Sequence, residues 1–227
     1  MKNLVLTLAL LLTTIAASAQ AVPGSAEKLR ILKPPAGAKV AIIAFEDFEC
    51  PDCGHAHPVL VEAAKKFNIP YVRYDFPLPQ HPYAFQAAIM NRYLVSKNPA
   101  LASQFRDEVY KNQPQFADDA QRFIPWAMKW ASDHGTPFPF VIDPDGKFAA
   151  LIKADQDLGR RINIEHTPTI YIVTSARSTE PFVEVVDRSQ LYQMIEDAQH
   201  QAASAAPEPA GTKLQGSPTI RKPSTKK

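Results

Sequence analysis

Apolar positions along the chain fall into two kinds of run. Residues 39–45 (KVAIIAF) and 169–173 (TIYIV) are short and almost continuously apolar, the pattern of strands buried on both faces. Residues 70–76 (PYVRYDF) alternate apolar with polar and predict a second strand after the first. Residues 182–186 predict a fourth strand, joined to 169–173 by a polar turn, so those two form a hairpin. A short strand is also expected at 29–32 within the lead-in 20–38, which carries Pro23, Gly24, Pro34, Pro35 and Gly37.

The remaining apolar residues recur with helical spacing. Pro51 suits the first turn of a helix that continues through 57–67, with Leu60, Ala63, Ala64 and Phe67 on one face. Pro77, Pro79 and Pro82 mark a loop, and helices are then expected at 83–95, 99–112 and 117–134. Phe123, Trp126 and Trp130 share a helical face and read as core packing. After a loop punctuated by Pro137, Pro139, Pro144 and Gly146, 147–161 is helical again, and Asp187 is a candidate cap for a last helix to about 201. The order is β-α-β, a helical block at about 83–135, then α-β-β-α. It predicts an α/β fold: a mixed sheet with helices on both faces and a helical insertion.

The two ends differ from this body. Residues 1–19 have Lys2 ahead of an apolar stretch from Leu4 to Ile15 and end on Ala17-Ser18-Ala19, the layout of a cleavable signal peptide. The stretch is shorter than the roughly 20 residues a membrane span needs. Residues 202–227 are rich in Ala, Pro, Ser, Gly and Lys and read as a disordered basic tail. The formal net charge is +2, but Lys213, Arg221, Lys222, Lys226 and Lys227 lie in that tail, leaving the body mildly acidic. An acidic body without a basic stripe argues against nucleic acid as a partner. The expected location is periplasmic or secreted.

Cysteine occurs twice, at Cys50 and Cys53. Disulfides persist in exported proteins, but a loop this small gains little as a staple, so the spacing points to chemistry. The pair stands where a buried strand gives way to a helix. Cys50 would sit at the helix N-terminus, where unpaired N–H groups and the dipole favour an anion, and a thiolate is the nucleophile of disulfide exchange. Cys50 is thus the expected exposed attacker and Cys53 the more buried resolving thiol. A CxxC also fits half a zinc site.

The stretches FEDFECPDC (45–53), YDFPL (74–78) and TPTIYIV (167–173), in this order around a helical block, resemble the thioredoxin-like superfamily, most closely its DsbA-like branch of disulfide oxidoreductases. The resemblance spans about 39–200. It implies thiol–disulfide exchange through a redox-active Cys50–Cys53 disulfide, with no other cofactor. It implies a cis peptide bond before Pro168, which brings Thr167 and Pro168 beside Cys50. The Thr167 backbone would then pair with an extended substrate, and the Pro168 ring would help keep metal from the thiols. The implied partners are exported proteins with thiols or disulfides and a recycling partner, expected in the membrane.

Three features depart from the branch. The buried acid found six residues before the first cysteine in many relatives is Ala44 here, leaving Glu46, Asp47, Glu49 or water to replace it. Between the cysteines stand Pro51 and Asp52 in place of Pro-His, and a carboxylate beside Cys50 disfavours its thiolate, which predicts a milder oxidant. His166 precedes Thr167 and would favour the thiolate if it reached Cys50. Two other readings remain: a metal-binding or metallochaperone module using the cysteines with His55 and His57, and a non-catalytic interaction domain. His55 and His57, two apart on a helix, do not share a face.

Overall fold

The structure, a computed structural model, describes residues 25–116, 118–176 and 181–205. The signal-peptide segment, the start of the lead-in, residues 177–180 and the tail from 206 on lie outside the described residues, while 202–204, expected to begin the disordered tail, continue the last helix. No described helix is long and apolar enough to cross a membrane.

Four strands form one mixed sheet: β1 (Val40–Glu46), β2 (Tyr71–Asp75), β3 (Thr169–Thr174) and β4 (Phe182–Glu184), in the order β2-β1-β3-β4. β1 runs parallel to β2 and antiparallel to β3, and β3 pairs antiparallel with β4 as the hairpin pattern predicts. All seven residues of β1 are buried because the strand is central and covered on both faces. Its side chains alternate between those faces. Val40, Ile42 and Ala44 pack with Leu60 and Ala63 of α2 (Pro51–Phe67) and with Leu191 and Ile195 of α7 (Leu191–Ser204). Ala41, Ile43 and Phe45 pack on the other face with Phe76, Ile162 and Tyr171.

On that second face α6 (Lys147–Arg161) approaches the sheet closely. A Cβ on Gly159 would stand 2.5 Å from the Phe76 ring, so only glycine fits there. Between β2 and α6 come α3 (Ala84–Lys97), α4 (Pro99–Phe116) and α5 (Ala120–Asp133), which share a separate aromatic core of Tyr83, Phe105, Phe116, Phe123 and Trp130. Trp126 packs against it partly buried, so the aromatic stripe is core, as its spacing predicts.

Two segments differ from the sequence pattern. Residues 29–32 are not a strand: the lead-in forms a helix, α1 (Ser25–Ile31). Arg30 grips Glu27 across one turn, and Ile31 and Leu32 turn into the sheet's second core. Helix α4 also runs past Pro114 to Phe116, since Phe116 is drawn into the insertion core and a proline in the last turn interrupts little.

Candidate active site

The site forms where β1 hands over to α2. Asp47, buried just after the strand, ties the crossing together: its carboxylate accepts the N–H groups of Glu49 and Leu78, both at 2.7 Å, and pairs with His81 at 2.7 Å. This turns the chain so that Cys50 becomes the N-cap of α2, with extended backbone (φ −69°, ψ 117°). The Cys50 sulfur occupies the place of a capping oxygen and accepts the Cys53 N–H at 3.4 Å. Its own S–H donates to the Thr167 carbonyl at 3.1 Å.

The second sulfur faces inward. Cys53 is fully buried, and its Sγ accepts the Asp47 N–H at 3.4 Å. Cys50 keeps 7% of its surface, so it is a largely covered residue rather than an exposed one. Cys53, Thr167 and Tyr110 close around the rest of it. Both are present as thiols. Their acidities diverge. The interaction with Cys53, helped by Thr167 and by the N–H groups of Cys53 and Asp52, outweighs burial and lowers Cys50 to about 6. Burial pushes Cys53 well above the usual thiol range, and the adjacent Cys50 and Glu46 push the same way.

Opposite the sulfurs, the Thr167–Pro168 peptide bond is cis. Thr169 fixes this turn by donating its hydroxyl to the His166 carbonyl at 2.6 Å. Both Thr167 and Pro168 are buried.

Beneath Cys53 lies a charged floor. Glu46 is at the end of β1, two residues beyond Ala44 and so on the same face of the strand. It is held by Arg106 at 3.3 Å and by the Tyr71 hydroxyl. Arg106 also pairs with Asp75 at 3.0 Å and lies 4.1 Å from the Phe48 ring centroid. Arg92 bonds Asp75 and Asp155 in turn. Of the three acids near the pair, Asp47 thus touches Cys53 through its backbone, and Glu46 acts on it through space. Glu49 turns away, accepting the Tyr83 and Ala84 N–H groups at 2.7 and 3.0 Å. Burial raises its carboxyl to about 7.

Helix α4 clamps the rim. Gln113 donates to the Phe48 and Cys50 carbonyls at 2.9 and 3.0 Å. A Cβ on Gly54 would come within 2.5 Å of the Gln113 Oε1, so glycine makes room for the clamp. Between α2 and α4 a groove of about 880 Å³ runs away from the cysteines, lined by Pro51, Pro58, Val61, Tyr110 and Pro114.

Asp52 does not stand alone beside Cys50. Arg188, 136 residues later, holds it with two hydrogen bonds of 2.6 and 2.7 Å. That pairing, with smaller contributions from His55 and His166, keeps the Asp52 carboxyl below its ordinary range. His166 is exposed and bears on Asp52 rather than hydrogen-bonding Cys50. His55 is exposed, whereas His57 is buried and bonded to Asp107 at 2.7 Å, so the two histidines diverge. Among the described residues no three His, Cys, Asp or Glu side chains are grouped to hold a metal, and the metallochaperone reading is not favoured.

Arg188, Gln113 and Arg106 were not among the residues picked from sequence. Each is one polar residue among several in its stretch, and its partner lies far along the chain. Only the buried acids at 46, 47 and 49, clustered beside the cysteines, carried a local signal.

A mixed sheet, a cysteine pair opening a helix, and a proline turn facing it define the class: a thioredoxin-fold thiol–disulfide oxidoreductase. The chain belongs to the thioredoxin family, whose model, described as "Thioredoxin", matches residues 35–203. Three solved structures share the fold. Wolbachia pipientis alpha-DsbA1 has a TM-score of 0.60 at 15% identity, covering 75% of this chain and 91% of that one. The thiol-disulfide exchange protein alpha-DsbA2 of the same organism gives 0.55 at 15%, covering 73% and 84%. A periplasmic thioredoxin-like protein from Salmonella enterica serovar Typhimurium gives 0.55 at 17%, covering 75% and 88%. A curated relative, Na(+)/H(+) antiporter NhaA 1 of Salinispora arenicola, is 46% identical over 56 residues, which is 24% of this chain and 9% of that protein.

Proposed function

We propose that the protein exchanges disulfides with exported protein substrates, with Cys50 as the attacking thiol and Cys53 as the resolving thiol. The observation that carries this reading is the contrast between the two sulfurs: Cys50 is acidified to about 6 at a helix mouth, and Cys53 is buried and held protonated. In the reducing direction the Cys50 thiolate attacks a substrate disulfide. One substrate sulfur leaves as a thiolate and a mixed disulfide forms. Cys53 then gives up its proton and attacks the Cys50 sulfur, releasing the second substrate thiolate and closing the Cys50–Cys53 disulfide. In the oxidising direction the same bonds form and break in reverse, and Cys50 is the final leaving group. A thiolate stable at about pH 6 leaves well, which favours that direction.

This acidity lies between the values of about 7 and about 3.5 found in reducing and strongly oxidising members of the fold, in keeping with a milder oxidant. The Thr167 carbonyl, which takes the Cys50 S–H in the dithiol, is freed when that proton is lost. It then accepts a backbone N–H from a substrate strand beside Pro168. The segment 1–19 supports export to the periplasm or beyond, and a membrane-bound partner would recycle the pair.

Insulin reduction and oxidation of a reduced test peptide measure the activity directly. Cys50→Ser is expected to fall to background. Cys53→Ser is expected to accumulate thiol-reversible adducts with substrates through Cys50. Exchange that survives loss of Cys50, or stoichiometric copper or zinc binding without exchange, would overturn the reading.

A further inference from the structure

The second of the two residues between the cysteines carries a charge that opposes a thiolate on Cys50. Asp52 lies in the first turn of α2, flanked by the two sulfurs, where a carboxylate opposes a thiolate on Cys50. The fold answers it from a distant segment. Asp187 accepts the Ser189 N–H at 2.9 Å and starts a 3-10 turn, Arg188–Gln190, that leads into α7. This turn directs Arg188 at Asp52, and the guanidinium meets the carboxylate as a two-pronged pair, Nη1 to Oδ2 and Nη2 to Oδ1. Arg188 responds to Asp52 most strongly, and to Cys53 and Cys50 as well, so its charge reaches the sulfurs.

We propose that Arg188 is a positioning residue for the cysteine pair: its grip pins the Pro51–Asp52 dipeptide to the chain entering α7 and cancels the negative charge beside the Cys50 thiolate. The other ionisable groups around the pair are already engaged or exposed. His81 is paired with Asp47, Glu49 is bonded to the Tyr83 and Ala84 amides, Glu46 is held by Arg106, and His55 and His166 stand in solvent. Arg188 therefore leaves the dipeptide beside Cys50 with no net charge, where Asp52 alone would oppose the thiolate. Lysine is a partial substitute, since it restores the charge without the fork.

The inference rests on Cys50 being the attacking thiol. Thiolate absorbance is titrated against pH in four reduced proteins: wild type, Arg188→Gln, Asp52→Asn and the double variant. Arg188→Gln should raise the Cys50 midpoint by about half a pH unit, a roughly threefold loss in the thiolate-to-thiol ratio for one charge at near-surface dielectric. Asp52→Asn should lower it, and the double variant should return close to wild type. Arg188→Lys should fall between wild type and Arg188→Gln, and it carries the test should the Gln variant fold poorly. An unchanged or lowered midpoint in Arg188→Gln, or a double variant no nearer wild type than Arg188→Gln, overturns the clasp. A wild-type protein inactive toward insulin and test peptides overturns the exchange reading instead, whatever the order of midpoints.

Discussion

The two sides of the CxxC turn are built from opposite materials. On the Cys50 side, N–H groups, the Thr167 carbonyl and the exposed Asp52–Arg188 pair gather at the mouth of a helix. On the Cys53 side, Tyr110, Glu46 and Arg106 form a floor closed to water. Two residues separate the cysteines in sequence, yet one thiol is acidified and the other is held neutral. The contrast gives a symmetric-looking motif a direction: the acidified thiol is the one proposed to attack, and the buried thiol the one proposed to resolve.

Breaking the floor should have the largest effect. Arg106→Leu leaves Glu46 buried without its nearest cation and Asp75 held by Arg92 alone, so it should destabilise by about 3–5 kcal/mol. The midpoint of urea unfolding measures this. Next comes Gly159→Ala, which drives a methyl into Phe76 behind the sheet and should cost about 1–3 kcal/mol in the same experiment. Gln113→Ala removes two hydrogen bonds from the rim and should cost about 1–2 kcal/mol. Because those bonds hold the Phe48 and Cys50 carbonyls, insulin turnover should also fall.

A pH-dependent effect separates the two redox states. Folding lowers the Cys50 pKa from the ordinary thiol value of 9.0 to about 6. A depressed acid stabilises the fold above its unfolded pKa and loses that contribution as pH falls through the folded value. The reduced protein should therefore gain on the disulfide form between pH 6 and 9. Paired thermal melts across that range test the sign. The smallest shift is expected at Glu49, whose carboxyl folding raises to about 7. Its neutral form is favoured in the fold, and that preference turns into a cost as pH rises from about 4.5 through 7. Glu49→Gln should match wild type near pH 4 and exceed it in thermal stability near pH 8.

The same contrast explains what the sequence revealed. The strands at 40–46 and 169–174 were legible because burial on both faces writes a continuous apolar run. The helix from Pro51 and the stripe through Phe123 and Trp130 were legible from their period. The lead-in misled because Leu29–Leu32 is apolar enough for a strand, whereas a local Glu27–Arg30 pair and burial of Ile31 and Leu32 favour a helix. Cys50, Cys53 and Pro168 stood out through motif order. Asp52 was read as an uncompensated charge because its partner is 136 residues away, and periodicity cannot say which polar side chain crosses to meet it. The floor was hidden for the same reason: Arg106 meets Glu46 only after α4 folds back over the sheet.

Alkylation of each cysteine in the reduced protein, followed by mass spectrometry across pH, separates the two sulfurs. Cys50 is expected to be labelled with a midpoint near pH 6 while Cys53 remains unlabelled until well into the alkaline range. Equal labelling of the two, or faster labelling of Cys53, would contradict their proposed roles.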